Sequence, residues 1–302
     1  MLKLPLVTFV VTSYNYSNFI EQTLESIKNQ SYKNFEIIVV DDCSKDNSVE
    51  VIERFIQFNQ DLRITLIKHD KNMGQLASML DGLRISSGKF VSFVDSDDVL
   101  LEKYAETHIR VHLSTSVAFT CSQVAEIDEN NEIHTTYSVA SPQRSLAQQV
   151  KTLDELLEVD SEKVEFEQLK GKRFGGWYWS PDSSAMFRKS SIEIVLNYKT
   201  PEKWRVCPDK FLFNFAHLTG GSIVVYAPLV AYRRHSQNAG GTDYVCGDTK
   251  YNNDAATRRN IKNNIKIRPD TFRFLVENKR EFVKKYGTRG FLKFVFKVVF
   301  GA

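Results

Sequence analysis

The 302-residue chain has 40 Lys/Arg against 37 Asp/Glu, is 42% hydrophobic and 25% charged, and contains 4 Cys. This is the composition of a globular protein, which excludes a disordered or fibrous one, and the length buries one large core or two modest ones. With no apolar run of 18 residues, and a start (Met1-Leu-Lys-Leu-Pro-Leu) that lacks the parts of a signal peptide, the sequence excludes a membrane-spanning helix and places the chain in the cytoplasm.

The first third alternates between two periodicities. Leu6–Val11 reads as a buried strand, and Ile20, Leu24 and Ile27 recur at helical spacing. Phe35–Val40 is a second buried strand. Val49, Ile52, Phe55 and Ile56 mark a second helix, capped by Ser48 or Asp46. Leu62–Ile67 is a third strand, Leu76, Leu80 and Leu83 mark a third helix, and Lys89–Val94 is a fourth strand. Strands alternating with helices predict an α/β fold with a mixed, mostly parallel, Rossmann-like sheet flanked by helices.

The polar residues of this region fall just after the strands. Thr12-Ser-Tyr-Asn15 follows the first, Asp41-Asp42 the second, His69-Asp-Lys-Asn72 the third and Asp95-Ser-Asp-Asp98 the fourth. An open α/β sheet binds ligands in the crevice outside the carboxyl ends of its strands. Three carboxylates within one turn of backbone repel one another, and a hard divalent cation, Mg²⁺ or Mn²⁺, removes that conflict. The same four residues also suit an Asp-rich turn capping the next helix. Tyr14 offers a ring for stacking a base, and Asp42 an acceptor for a ring N–H such as N3 of uracil. The sequence has no GxGxxG and no GxxxxGK[ST], which argues against a dehydrogenase or an NTPase.

The segments Val7–Asn15, Phe35–Asp46 and Gly88–Asp98 together resemble the three signatures of family 2 glycosyltransferases. These are inverting, metal-dependent enzymes of GT-A fold that use nucleotide-diphospho-sugars. The resemblance is dense over residues 4–110. It implies donor contacts from Thr12, Tyr14, Asp42, Asn72, Asp95, Ser96 and Asp98. It also makes Asp95-Ser96-Asp97 a DxD motif, with Asp97 and Asp95 as ligands of Mn²⁺ or Mg²⁺. Asp41-Asp-Cys-Ser44 stands where such chains often have DDGS, so the turn there is expected to differ slightly.

The resemblance divides the chain into a nucleotide-sugar-binding half (residues 1–110), an acceptor-binding half (111–240) and a basic, amphipathic C-terminal helical extension (241–302). Inverting transfer needs a general base on the acceptor side. Asp209, in Cys207-Pro-Asp-Lys-Phe-Leu212, is the choice by position, with Asp182 in reserve; Asp209 also suits a helix cap. Trp177 and Trp179, in Gly175-Gly-Trp-Tyr-Trp-Ser180, read either as an acceptor-side wall or as packing. Tyr232-Arg-Arg-His-Ser-Gln-Asn238 resembles the family's closing Tyr-Arg-x-His segment. Arg233, Arg234 and His235 would then form a lid on the diphosphate, with Arg234 as a donor contact and His235 within reach of the metal, or else a basic surface loop. Glu155 to Glu167 form an acidic stretch with no functional reading, and the four spaced cysteines are expected to remain thiols.

Residues 258–302 hold 13 Lys/Arg and 3 Asp/Glu, leaving 27 and 34 for the rest. Lys285, Arg289, Lys293 and Lys297, spaced every four residues, form a stripe beside a run of Phe, Leu and Val. That pattern predicts a helix lying in a membrane surface over residues 282–302, with packing on the body or on another subunit as the other option. A peripheral position on the inner face of the membrane then implies a glycan or polyprenyl-diphosphate-linked acceptor, in envelope polysaccharide or oligosaccharide synthesis. Two other classes fit the sequence less well. A sugar nucleotidyltransferase needs a glycine-rich basic loop after the first strand, which Thr12–Asn15 lacks. A nucleic-acid-binding protein using the tail is opposed by the acidic body and the dense phenylalanines, so no nucleic-acid partner is expected.

Overall fold

A computed structural model describes residues 4–137, 152–157, 165–170, 174–175, 179, 181–235, 238 and 254–301. The first third follows its hydrophobic periodicity: β1 (Val7–Ser13), α1 (Ile20–Lys28), β2 (Phe35–Asp41), α2 (Ser48–Phe58), β3 (Ile64–Lys68), α3 (Gln75–Ile85) and β4 (Phe90–Asp95). The Asp46 carboxylate takes the Ser48 N–H at 3.0 Å and starts α2. A short β5 (Val99–Leu100) precedes α4 (Tyr104–Ser114), β6 (Phe119–Ile127), β7 (Ile133–Tyr137), α5 (Leu153–Leu157) and β8 (Phe166–Leu169). Then come β9 (Ala185–Arg188), α6 (Lys189–Ile192), α7 (Asp209–Gly220), β10 (Ser222–Arg233), α8 (Asp254–Glu277) and α9 (Lys279–Phe300).

The strands form one sheet in the order β3-β2-β1-β4-β9-β6-β10-β5, with β7 beside β6 and β8 beside β10. The first four run parallel, while β9 is antiparallel to both β4 and β6. Residues 1–110 and 111–240 thus share a sheet. Alternate side chains of β1 enter different cores. Val10 joins Leu76, Leu80, Phe119 and Phe213 on one face, and Phe9 and Val11 join Leu24, Ile52 and Tyr104 on the other.

The tail packs on the body. Phe274 of α8 and Phe282, Phe291, Phe294 and Val298 of α9 are buried in the core that holds Phe211 and Phe215 of α7. Gly287, at φ +72°, breaks α9 into two helices, so the expected basic stripe is not continuous. Lys285, before the break, donates to the Ser190 carbonyl. Beyond it Leu292, Phe296, Val299 and Phe300 remain exposed, at 57%, 54%, 47% and 69%. Among the described residues no helix is long and apolar enough to cross a membrane.

Candidate active site

The parallel register decides which strand ends meet. Ser13 lies opposite Asp41 on β2, and Thr12 opposite Asp95 on β4. A cavity of about 730 Å³ opens outside these ends. Thr12, Tyr14, Asp42, Asn72, Asp95 and Asp97 line it from one side, and Asp182 and Asp209 are also in its wall.

Asp42 is nearly buried and works on two fronts. Its carboxylate accepts the N–H groups of Met73 at 2.6 Å and Gly74 at 2.7 Å, and lies 2.8 Å from Nδ1 of His69. These bonds fix the loop from β3 to α3 against the cavity. Gly74 sits at φ +92°, and a Cβ there would be 2.8 Å from the Arg205 Cα, so no other residue fits. Cys43 takes φ +67° in the turn where a glycine was expected. The chain takes this left-handed conformation without a glycine, and Ser44 binds the Asp41 carboxylate through its N–H at 2.9 Å and its hydroxyl at 2.5 Å.

The three acids after β4 present carboxylate oxygens within 4.8 Å of one another, yet their surroundings separate them. Asp95 Oδ1 accepts Gln75 Nε2 at 2.8 Å and Thr12 Oγ1 at 3.5 Å. Asp97 Oδ2 accepts Asn238 Nδ2 at 3.1 Å and lies 3.0 Å from His235 Nε2. Asp98 turns inward: one oxygen accepts Ser183 Oγ at 2.5 Å and the other the Arg233 N–H at 3.0 Å. Burial, then the charges of Asp97 and Asp209, push Asp95 up to about 8. Burial, then Asp97 and Asp95, hold Asp98 well above the usual carboxylate range. The half-buried Tyr16 phenol beside them is also pushed up, and stays protonated. Two cavity-facing carboxylates with uncompensated charge and oxygen-only donors fit a hard divalent cation at Asp95 and Asp97.

Asp209 begins α7 and accepts the Lys210 N–H at 2.9 Å. Burial raises it to about 6. Asp182 lies on the short turn Asp182–Ser184, is 3% exposed, and its Oδ1 has no hydrogen-bond partner. Burial, then the charges of Asp209, Asp95 and Asp98, hold it well above the usual range.

Several expected contacts are elsewhere. Asp98 and Ser96 are fully buried and do not line the cavity, because that turn points its second and fourth residues into the protein. Arg234 gives Nε and Nη2 to Glu126 at 3.1 and 2.8 Å, so it is not a donor contact. Arg233 is 1% exposed and brackets the Asp97 carbonyl and Gln22, so the pair forms no lid. His235 is buried behind Asp97, where it orients that carboxylate rather than facing the cavity. Trp179 is not an acceptor wall: its ring packs between Phe119 and Phe213, 1% exposed, and its indole N–H reaches Ser222 at 2.9 Å. Trp177 lies outside the described residues. Tyr16, Gln75, Arg205 and Asn238 belong to the site and were missed. Tyr16 stood one residue beyond the Thr12–Asn15 segment and Asn238 ended the Tyr232–Asn238 segment without being singled out, but nothing local marks Gln75 or Arg205.

Residues 8–195 match the family model for glycosyl transferase family 2. A Bacillus subtilis (strain 168) protein assigned as a glycosyltransferase, EpsH, is 26% identical over 237 residues, 76% of this chain and 61% of that protein, so the chain spans under two thirds of it. The structure is similar to S. aureus TarS (residues 1–349) in complex with UDP-GlcNAc, at a TM-score of 0.56 and 16% identity over 96% of this chain and 79% of that one. It is also similar to the mannosyltransferase PcManGT of Pyrobaculum calidifontis in complex with GDP-Man and Mn²⁺, at 0.50 and 14%, over 98% and 70%. These likenesses show a GT-A fold.

Proposed function

This chain belongs to glycosyl transferase family 2, and we propose that it moves a sugar from a nucleoside diphosphate, UDP by preference, to a hydroxyl of a glycan acceptor with inversion. Residues 1–110 then hold the donor and 111–240 the acceptor. Thr12, Tyr14, Asp42 and Asn72 surround the base and ribose, and Asp95 and Asp97 hold Mn²⁺ or Mg²⁺. When bound, that cation offsets the charge of the leaving diphosphate. The attacking hydroxyl gives its proton to Asp209 as its oxygen bonds to the anomeric carbon, and the bond to the diphosphate oxygen breaks with its electron pair. A base raised to about 6 is matched to neutral pH.

One observation carries this reading: the strand-end acids and Asp209, from distant parts of the sequence, line one cavity. The complexes of TarS with UDP-GlcNAc and of PcManGT with GDP-Man and Mn²⁺ lend support to a nucleotide-sugar donor and a metal. The test is thermal stabilisation by UDP with and without Mn²⁺, followed by hydrolysis of a panel of nucleotide sugars. A rise in Tm that needs Mn²⁺ is expected; indifference to every nucleoside diphosphate overturns the reading.

We further propose that the exposed Leu292, Phe296, Val299 and Phe300, with Arg289 and Lys293 also exposed on that helix, rest on an anionic membrane and bring the site to a lipid-linked acceptor on the cytoplasmic face. Phe291, Phe294 and Val298 hold the other face of the helix to the body. Replacing Leu292 and Phe296 by Ser should abolish cosedimentation with phosphatidylglycerol vesicles and leave Tm unchanged; undiminished cosedimentation rejects this step.

A further inference from the structure

Among the described residues, Asp182 is the one acid of the cavity wall that the proposed nucleoside contacts, metal site and proton transfer all leave unused. Its position is fixed closely. Ser184 donates its N–H and its hydroxyl to the Pro181 carbonyl at 3.0 and 2.7 Å, which closes the turn. Ser183, next to Asp182, donates its hydroxyl to Asp98 at 2.5 Å and accepts the Asp95 N–H at 3.0 Å. The turn is thus bolted to the strand end that carries Asp95 and Asp97. Asp182 lines the cavity, is 3% exposed, and leaves Oδ1 without a partner. A buried acceptor left unpaired is costly, so a ligand that supplies an O–H or N–H there gains more than it would in water.

The charge around it narrows the ligand. Arg205 is the one Lys or Arg among the described lining residues, and its guanidinium is tied to Asn72. Asp182 and Asp209 therefore face the cavity with no cation bonded to them among the described residues, and the charge of Asp209 acts on Asp182 more strongly than any other. Asp182 thus shares one cavity wall with Asp209, the proposed base, and with Asp95 and Asp97, the proposed holders of the leaving group.

Resting on the glycosyl-transfer reading, we propose that Asp182 is a specificity-determining residue for the transferred sugar. Its carboxylate accepts a hydrogen bond from a hydroxyl or amide N–H of that sugar, and the site rejects a sugar that carries a carboxylate. A hydrogen bond to an acceptor that is otherwise buried and unpaired contributes about tenfold in affinity.

The experiment is calorimetric titration of the full chain, with Mn²⁺ present, using UDP, four neutral UDP-sugars (glucose, galactose and their N-acetylamino forms) and UDP-glucuronate. Wild type should bind at least one neutral UDP-sugar more tightly than UDP, and UDP-glucuronate more weakly than UDP. Asp182→Asn and Asp182→Ala should bind UDP as wild type does, lose that excess by about tenfold, and narrow the gap to UDP-glucuronate. Should Asp182→Ala fail to fold, the near-isosteric Asp182→Asn carries the comparison. Variants that keep the excess, or a wild type that gains nothing from any neutral sugar, overturn the proposal. Failure of UDP itself to bind wild type overturns the glycosyl-transfer reading instead, so the two failures are distinct.

Discussion

The two walls of the cavity treat their acids in opposite ways. On the strand-end wall the carboxylates of Asp42, Asp95 and Asp97 each accept hydrogen bonds from other elements, so their oxygens are aimed before any ligand arrives. On the part of the wall built by residues 181–209, Asp182 Oδ1 has no partner, and Asp209 accepts the first N–H inside its own helix. A preset wall suits a group that is always the same, such as a metal diphosphate. An unsatisfied wall suits a group whose own hydroxyls complete it. The difference also explains why Asp98 is left out of the proposed metal site: both its oxygens are spent joining β10 and the Asp182 turn to the end of β4.

The sharpest way to break this comparison is within the acid triplet. Asp97→Ala should lower turnover by about 10³-fold or more and abolish the Mn²⁺ requirement for UDP binding, with Tm nearly unchanged. Asp98→Ala should do the reverse at the level of the fold. It leaves the buried Arg233 N–H and Ser183 hydroxyl unpaired and should cost about 2–4 kcal/mol in urea unfolding. If Asp98→Ala kept its Tm and lost Mn²⁺ dependence instead, the division of roles would be wrong.

Next in size is Asp209→Asn, which should lower turnover by about 10²–10³-fold while leaving UDP affinity intact. The sign of the wild-type pH profile follows from the raised value. A base at about 6 is protonated below that pH, so turnover should rise as pH climbs through 6 and level off above it. A rate flat from pH 5 to 8 would remove Asp209 from the proton transfer.

Much of the strand-end wall was legible because a parallel sheet converts sequence order into spatial order. Once β1, β2 and β4 are recognised, the residues after them must share one rim, and Thr12, Tyr14, Asp42, Asp95 and Asp97 do. The partners that aim those acids were less legible. Gln75 meets Asp95 from across 20 residues and Asn238 meets Asp97 from across 141, and no periodicity encodes such pairs. Trp179 shows a further limit. A tryptophan near glycines reads the same as a sugar platform or as core, and the Ser222 hydroxyl that makes it core lies 43 residues away. Arg233 and Arg234 read as a charged loop, but they close a buried strand whose neighbours, Asp128 and Glu126, supply the acceptors. Trp179→Ala is accordingly a stability variant. It should cost about 3 kcal/mol in urea unfolding and leave the ratio of UDP-sugar to UDP affinity unchanged.

The smallest expected effect tests whether burial alone drives these pKa shifts. His108 and His112 are buried on one face of α4, far from the site in role: His108 Nδ1 lies 2.6 Å from Thr120 Oγ1, and His112 Nε2 2.9 Å from the Met186 carbonyl. Burial, then the charge of His112, holds His108 well below the usual histidine range, and burial lowers His112 to about 4. Their contribution to stability is present above the unfolded value of about 6.5 and is lost as pH falls from there toward 4, because the unfolded chain takes up protons that the fold refuses. Asp209, raised by the same burial, acts in the other direction, since the folded chain is the one that binds a proton between about 6 and 4. Replacing both histidines by Gln should therefore flatten the acid limb of a stability–pH curve by about 1–2 kcal/mol between pH 6.5 and 5, and Asp209→Asn should steepen it. If both variants shifted the limb the same way, the folded chain would not hold Asp209 above its unfolded value, and its role as a base matched to neutral pH would fall with it.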